Sequence, residues 1–256
     1  MDSGLTVIGG ISQVIWILNT YVNDILYDRN VQILRETKKN AAWQNKRFEG
    51  VIFGSCAVRL NSTTGALIGG GMSNKQGFFP TRKTWFFNLE TEEWIQGPLL
   101  NQPRTAAACG VMRSAYSSKA PVIVIAGGQI SRENIVHTNI NLDHNVSNSV
   151  EILDFSKEIL VWEKGPDLPV SVHSAQVVER SDGLYLVGGM SKNSTFDTIY
   201  HLPSDLSTFS SGWELINQRL KTSRAMHKSI LVPDNLVDCY SSSVRVTENL
   251  NITYDI

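Results

Sequence analysis

Leu184-Tyr185-Leu186-Val187-Gly188-Gly189 decides the fold. Its apolar run reads as a buried strand. The glycine pair closes that strand where the backbone must turn with φ > 0 or approach another segment closely. The same signature stands at Leu5-Thr6-Val7-Ile8-Gly9-Gly10, at Ala66-Leu67-Ile68-Gly69-Gly70, and at residues 122–126 followed by Gly127-Gly128. The first glycines, Gly9, Gly69, Gly127 and Gly188, are 60, 58 and 61 residues apart. A chain with 19 glycines yields about one such pair by chance, so four evenly spaced pairs are an internal repeat.

Other marks recur between the pairs in a fixed order. A variable loop leads to a short strand: Ile25-Leu26-Tyr27-Asp28, Trp85-Phe86-Phe87-Asn88-Leu89, Val150-Glu151-Ile152-Leu153-Asp154 and Thr198-Ile199-Tyr200-His201-Leu202. A tryptophan follows, at Trp43, Trp94, Trp162 and Trp213, and two repeats then carry Gly97-Pro98 and Gly165-Pro166. A segment of small and apolar residues (51–58, 105–112, 172–178) runs into the next glycine pair, and a further copy begins at 224–231. Each unit thus offers four short strands joined by turn residues. One such sheet cannot cover both of its own faces, so neighbouring sheets must stack. The tryptophan supplies a flat wedge between them, and the small residues suit the most crowded strand.

This order resembles the kelch repeat, whose usual period is about 50 residues. The resemblance spans residues 5–232, and its Tyr-Asp element is clearest at Tyr27-Asp28. No Trp-Asp dipeptide closes the units, which separates them from WD repeats. The resemblance implies an all-β fold: a kelch-type β-propeller with four recognisable blades and a partial fifth, hence an incomplete or open ring. The expected domain is 1–235, with repeats near 5–47, 48–103, 104–170 and 171–222 and another starting at 223–235. Residues 236–256 read as a degenerate blade remnant or a tail.

Composition excludes several functions. Apolar residues make up 42% of 256, enough for a sizeable core, and the net charge is −1 with no basic block. That is not the footprint of a nucleic-acid binder. The stretch 5–18 is too short and too interrupted to span a bilayer, so no membrane insertion is expected. Cys56, Cys109 and Cys239 are odd in number and far apart, which reads as three buried thiols in a reducing compartment and places the chain in the cytoplasm. Sequons at Asn61, Asn145, Asn193 and Asn251 keep an extracellular alternative open if the N-terminus is incomplete.

No catalytic or phosphate-binding signature is present, and no metal site or cofactor is expected. His137 and His144 share the 130–149 loop with Asp143, Arg132 and Glu133, the best local candidate for a metal or acid/base site, yet the spacing matches no ligand template and the loop reads as a solvated polar one. His173 and His227 fall on predicted first strands. By the kelch resemblance, loops after the glycine pairs and loops leading into the first strands share one face. Arg82, Arg104, Arg132, Lys192 and Arg224, with Phe78 and Phe79, are then the expected contacts for a protein or peptide partner of acidic character. For Arg104 and Arg224 a structural contact to the neighbouring sheet is the competing reading. The kelch resemblance implies a protein-interaction scaffold, such as a ubiquitin-ligase substrate adaptor or a cytoskeletal protein. The alternatives are a channel-mouth enzyme of the sugar-epimerase, oxidase or specifier type, and a secreted glycoprotein.

Overall fold

The computed structural model describes residues 54–74, 77–88, 90–113, 120–130, 146–192, 194–204 and 212–229, with the backbone of strand segments between 5 and 47; residues 72–74 and 77–78 are described for their backbone alone. Among the described residues every strand pairing is antiparallel and no helix occurs.

The first repeat forms β1 (Leu5–Ile8), β2 (Ile11–Val14), β3 (Ile25–Tyr27), β4 (Asn30–Leu34) and β5 (Gln44–Arg47). The second gives β6 (Cys56–Arg59), β7 (Thr64–Ile68), β8 (Gly71–Asn74), β9 (Gly77–Pro80), β10 (Thr84–Asn88) and β11 (Trp94–Gln96). The third gives β12 (Ala108–Met112), β13 (Val122–Ala126), β14 (Val150–Asp154) and β15 (Glu163–Lys164). The fourth gives β16 (Gln176–Arg180), β17 (Gly183–Val187), β18 (Met190–Ser191), β19 (Ser194–Thr195), β20 (Ile199–Pro203) and β21 (Glu214–Leu215). The second, third and fourth repeats each make one four-stranded meander, β6-β7-β10-β11, β12-β13-β14-β15 and β16-β17-β20-β21, while β1-β4-β5 makes a sheet of three. The hairpins β8-β9 and β18-β19 leave their sheets directly after the second strand, and β2-β3 follows β1 of the three-stranded sheet.

Two strand assignments differ from the sequence reading. Ile25–Tyr27 pairs with β2 in the hairpin, and Asn30–Leu34 lies against β1 instead. Val31 and Ile33 alternate with Asn30 and Gln32, the period that a sheet strand requires. Phe78-Phe79-Pro80, read as part of the long loop after the glycine pair, is part of β9 and pairs in register with β8.

The glycine pairs do what their position demands. Gly69, Gly70, Gly127, Gly128, Gly188 and Gly189 all have positive φ, between 61° and 100°. A Cβ on Gly127 would stand 2.2 Å from the Val172 carbonyl oxygen. The second glycine of each pair donates its N–H to the segment that leads into the following sheet: Gly70 to Arg104 O (2.8 Å), Gly128 to Val172 O (2.8 Å) and Gly189 to Arg224 O (2.7 Å). Gly9 and Gly10 lie outside the described residues.

The core lies between sheets. Ile123, Ile125 and Leu153 of the third sheet pack with Ile68, Leu100 and Trp162 on one side, whereas Val122, Val124 and Val150 pack with Leu184, Leu186, Leu202 and Trp213 on the other. The third sheet is therefore covered on both faces, and all five residues of β13 are buried. Trp162 and Trp213 sit in these seams as expected, and the Trp162 indole donates to Pro98 O of the preceding repeat (3.1 Å). Trp94 is half-buried and packs on Phe87 of its own sheet; Trp43 lies outside the described residues.

The first strands of successive sheets lie side by side. Gly54, Ala106 and Ser174, which precede β6, β12 and β16, and Met226, at the equivalent place after the fourth sheet, are in the left-handed region, with φ of 64°, 52°, 54° and 57°. These residues form a line of hydrogen bonds, Ala106 N to Gly54 O (2.7 Å), Ser174 N to Ala106 O (2.8 Å) and Met226 N to Ser174 O (2.9 Å). That turn explains why the strands begin at Cys56, Ala108 and Gln176 rather than at the earlier residues of the small-residue segments. After Met226 the described residues show the turn but no strand through Ser229, so the strand expected at 224–231 is not formed over its described part.

Cys56 and Cys109, on the first strands of adjacent sheets, form a disulfide across the seam, with 6.0 Å between Cα atoms and 53 residues between them in sequence. This replaces the reading of three free thiols. Cys239 lies outside the described residues.

Gly127→Ala is expected to lower stability by about 2 kcal/mol or more in urea denaturation, because it adds backbone strain to a clash with a carbonyl. Gly65→Ala, whose Cβ would meet Val58 O at an acceptable 3.4 Å, is expected to cost far less. Replacing Cys56 and Cys109 together by serine should cost about 4 kcal/mol on the chain-entropy account of a loop this long.

Candidate functional site

Strand direction places the candidate partner residues. In every four-stranded sheet the second strand ends at the glycine pair, so the hairpins after it and the segments 97–107, 165–175 and 216–226 gather at one edge. Arg82, Lys192, Arg224 and Phe79 belong to this edge and are exposed. Arg82 donates Nε to Leu100 O, which ties the end of the β8-β9 hairpin to the segment leaving the second sheet. Phe78 contributes backbone to β9; Arg132, His137, Asp143 and His144 lie outside the described residues.

Arg104 is a correction. Its side chain is completely buried and cannot meet a partner. The guanidinium donates to Gly127 O (2.7 Å), to Ser149 O and Oγ (both 2.9 Å) and to Glu151 Oε1 (2.9 Å from Nη2). Glu151, itself buried, also accepts from the backbone N–H groups of Asn101 (2.6 Å) and Gln102 (3.2 Å). Burial pushes the Arg104 pKa down, and the Glu151 carboxylate opposes that shift. A buried pair of this kind survives because every charged atom has donors or acceptors around it. It rivets the segment leaving the second sheet to the third strand of the next.

Arg224 occupies the equivalent register position, since its carbonyl accepts from Gly189 as that of Arg104 does from Gly70. Its side chain is exposed. Around it the segment 216–229 carries Arg219, Lys221, Arg224 and Lys228 and no acidic residue, all four exposed. Arg219 is paired with Asp197 (3.0 Å). The sequence reading selected only Arg224 from this group; the run of cations without an acid was there to be seen.

His227 lies within this basic segment, with its Cε1 against Gly188. Both ring nitrogens are buried and have no hydrogen-bond partner among the described residues. Burial, then the charges of Arg224 and Lys228, hold its pKa below the ordinary imidazole value. His173 is buried, and its Nδ1 is 3.0 Å from Ser174 Oγ. No group of three metal-ligating side chains occurs among the described residues, and no helix among them is long and apolar enough to cross a membrane.

No protein-family model and no curated protein matches the chain. Among solved structures, the one titled "Structure of YjhT" is similar with a TM-score of 0.57 at 13% identity, over 77% of this chain and 61% of that one. The chain therefore spans less than two thirds of the length of that structure. A likeness at this identity bears on the fold alone, and the fold is all-β.

Glu151→Ala is expected to cost about 3–5 kcal/mol in chemical denaturation, because it strands a buried guanidinium. His227 makes the second prediction. The unfolded chain takes up a proton that the folded chain resists, so the stability present above the unfolded pKa of 6.5 is lost as pH falls below it. Unfolding midpoints measured from about pH 7 to about pH 5 should drop, and His227→Gln should flatten that slope.

Proposed function

We propose that the chain is a kelch-type β-propeller, incomplete or open over its four repeats, and that it works as a protein-interaction scaffold through the glycine-pair edge. Three features support the propeller: successive four-stranded meanders, first strands side by side and joined by backbone hydrogen bonds, and seams packed by apolar residues and tryptophan. A rigid stack of sheets with variable loops at one edge is a common platform for recognition.

The observation that carries the binding reading is the exposed basic segment 216–229 beside Lys192 and Phe79 on that edge. Exposed lysine and arginine on adjoining loops, with no acidic residue within 216–229, favour an acidic segment, and arginine offers a fork to each carboxylate. An adaptor role, in substrate capture or cytoskeletal attachment, fits this chemistry.

Capture of an immobilised Glu/Asp-rich peptide library should identify ligands whose binding weakens with added salt. Reversing Lys221, Arg224 and Lys228 to glutamate together is expected to weaken them by about tenfold or more, whereas Lys157→Glu, at the opposite edge, should leave them unchanged. Equal loss in both variants, or in neither, would sink the assignment of the edge.

A further inference from the structure

We propose that Asn61 carries an N-linked glycan and that the chain matures in an oxidising secretory compartment. The proposal is independent of the partner reading and rests on two separate features of the second sheet.

The first is the disulfide. Cys56 and Cys109 are joined across the seam between β6 and β12. Forming this bond removes two protons and two electrons from the thiols, which a disulfide-bearing oxidoreductase accepts. Such bonds form and persist in the secretory route and are rare in the cytosol, where thiols are kept reduced. The expectation of a cytoplasmic chain was drawn from reduced cysteines, and this bond removes its support.

The second is the geometry of Asn61-Ser62-Thr63. The sequon forms the turn between β6 and β7, and Asn61 and Ser62 are exposed. Leu60 N and Asn61 N both donate to Thr64 O, at 2.8 and 3.3 Å. Asn61 Oδ1 accepts from Thr63 N (2.9 Å), Thr63 Oγ1 (3.1 Å) and Thr64 N (2.8 Å). Arg59 braces the turn by donating to Asn61 O and Ser62 O, and Arg113 of the next sheet donates to Arg59 O and Leu60 O. The carboxamide oxygen is thus held by the turn, while its Nδ2 makes no hydrogen bond among the described residues. A sugar on Nδ2 breaks no contact of the fold.

The turn lies at the end of the sheet opposite the glycine pair, because Arg59 pairs with Gly65 at one end and Cys56 with Ile68 at the other. A glycan there leaves the basic edge clear. In the modification, the bond from Asn61 Nδ2 to the sugar C1 forms as the C1–O bond of a polyprenyl-diphosphate oligosaccharide breaks. The amide loses one proton, and the polyprenyl diphosphate departs. The sequons at Asn145, Asn193 and Asn251 begin outside the described residues and are not part of the argument.

The test is peptide mapping of the protein isolated from its native source, alkylated without reductant and treated with peptide N-glycosidase in heavy-oxygen water. The expected result is an Asn61 peptide converted to aspartate bearing one heavy oxygen, together with a Cys56–Cys109 linked peptide. Recovery of unmodified Asn61, or of alkylated Cys56 and Cys109, overturns the proposal. In the full chain produced through a eukaryotic secretory route, Thr63→Ser should keep the glycan-sized mobility step and Thr63→Ala should lose it. Retention of that step in Thr63→Ala overturns Asn61 as its source.

Discussion

A twisted sheet of four short strands has two faces and no means of hiding both, and that constraint governs this chain. Its clearest expression is β13, where five consecutive apolar residues are buried, alternate ones on opposite sides. Ile123 and Ile125 need the second sheet, and Val122 and Val124 need the fourth. The stability of the third sheet therefore belongs to its neighbours as much as to itself. The fourth sheet differs: Leu184 and Leu186 are buried against the third, while Tyr185 on the other face is half-exposed and stacks on His201.

Hydrophobic stacking is not directional, and polar contacts supply the register that it lacks. Three kinds cross the seams. Second glycines donate to the segment before the next first strand, left-handed residues bond one to the next, and Arg104 reaches Glu151 from one sheet to another. The Arg104–Glu151 contact is the most demanding, since each partner alone would be a buried unpaired charge. Arg113 adds a looser link at the far edge, joining Glu179 of the fourth sheet to the Arg59–Leu60 backbone of the second.

The repeat was legible because it is written in glycines, whose positive φ no other residue takes as easily. Gly-Gly pairs near residues 69, 127 and 188 located the second strands, and β-rich runs located most of the rest. What escaped was long-range pairing. Cys56 and Cys109 are 53 residues apart, which reveals nothing alone, but both fall in the small-residue segments of consecutive repeats and so on adjacent strands. Sequence left Arg104 between partner binding and a structural contact, because its partner, Glu151, reads as one polar residue in an apolar strand. The third strand of the first repeat was misplaced because Tyr27-Asp28 matched the repeat pattern better than Val31–Leu34 did. Of the partner-facing set, Arg82, Lys192, Arg224 and Phe79 reach the same edge. The cations around Arg224 needed the segment's exposure to stand out.

The left-handed residues have a consequence for how such a chain can grow. From Ala106 onward each donates backward, and each through Ser174 accepts forward, so the linkage has a head and a tail and is the same at every step from Gly54 to Met226. A duplicated stretch of one whole period would slot between any two members and find both connections waiting. A partial period would leave one of them unmade. The backbone grammar at this seam thus favours lineages that gain or lose complete modules, and it leaves their number to whatever curvature the sheets impose.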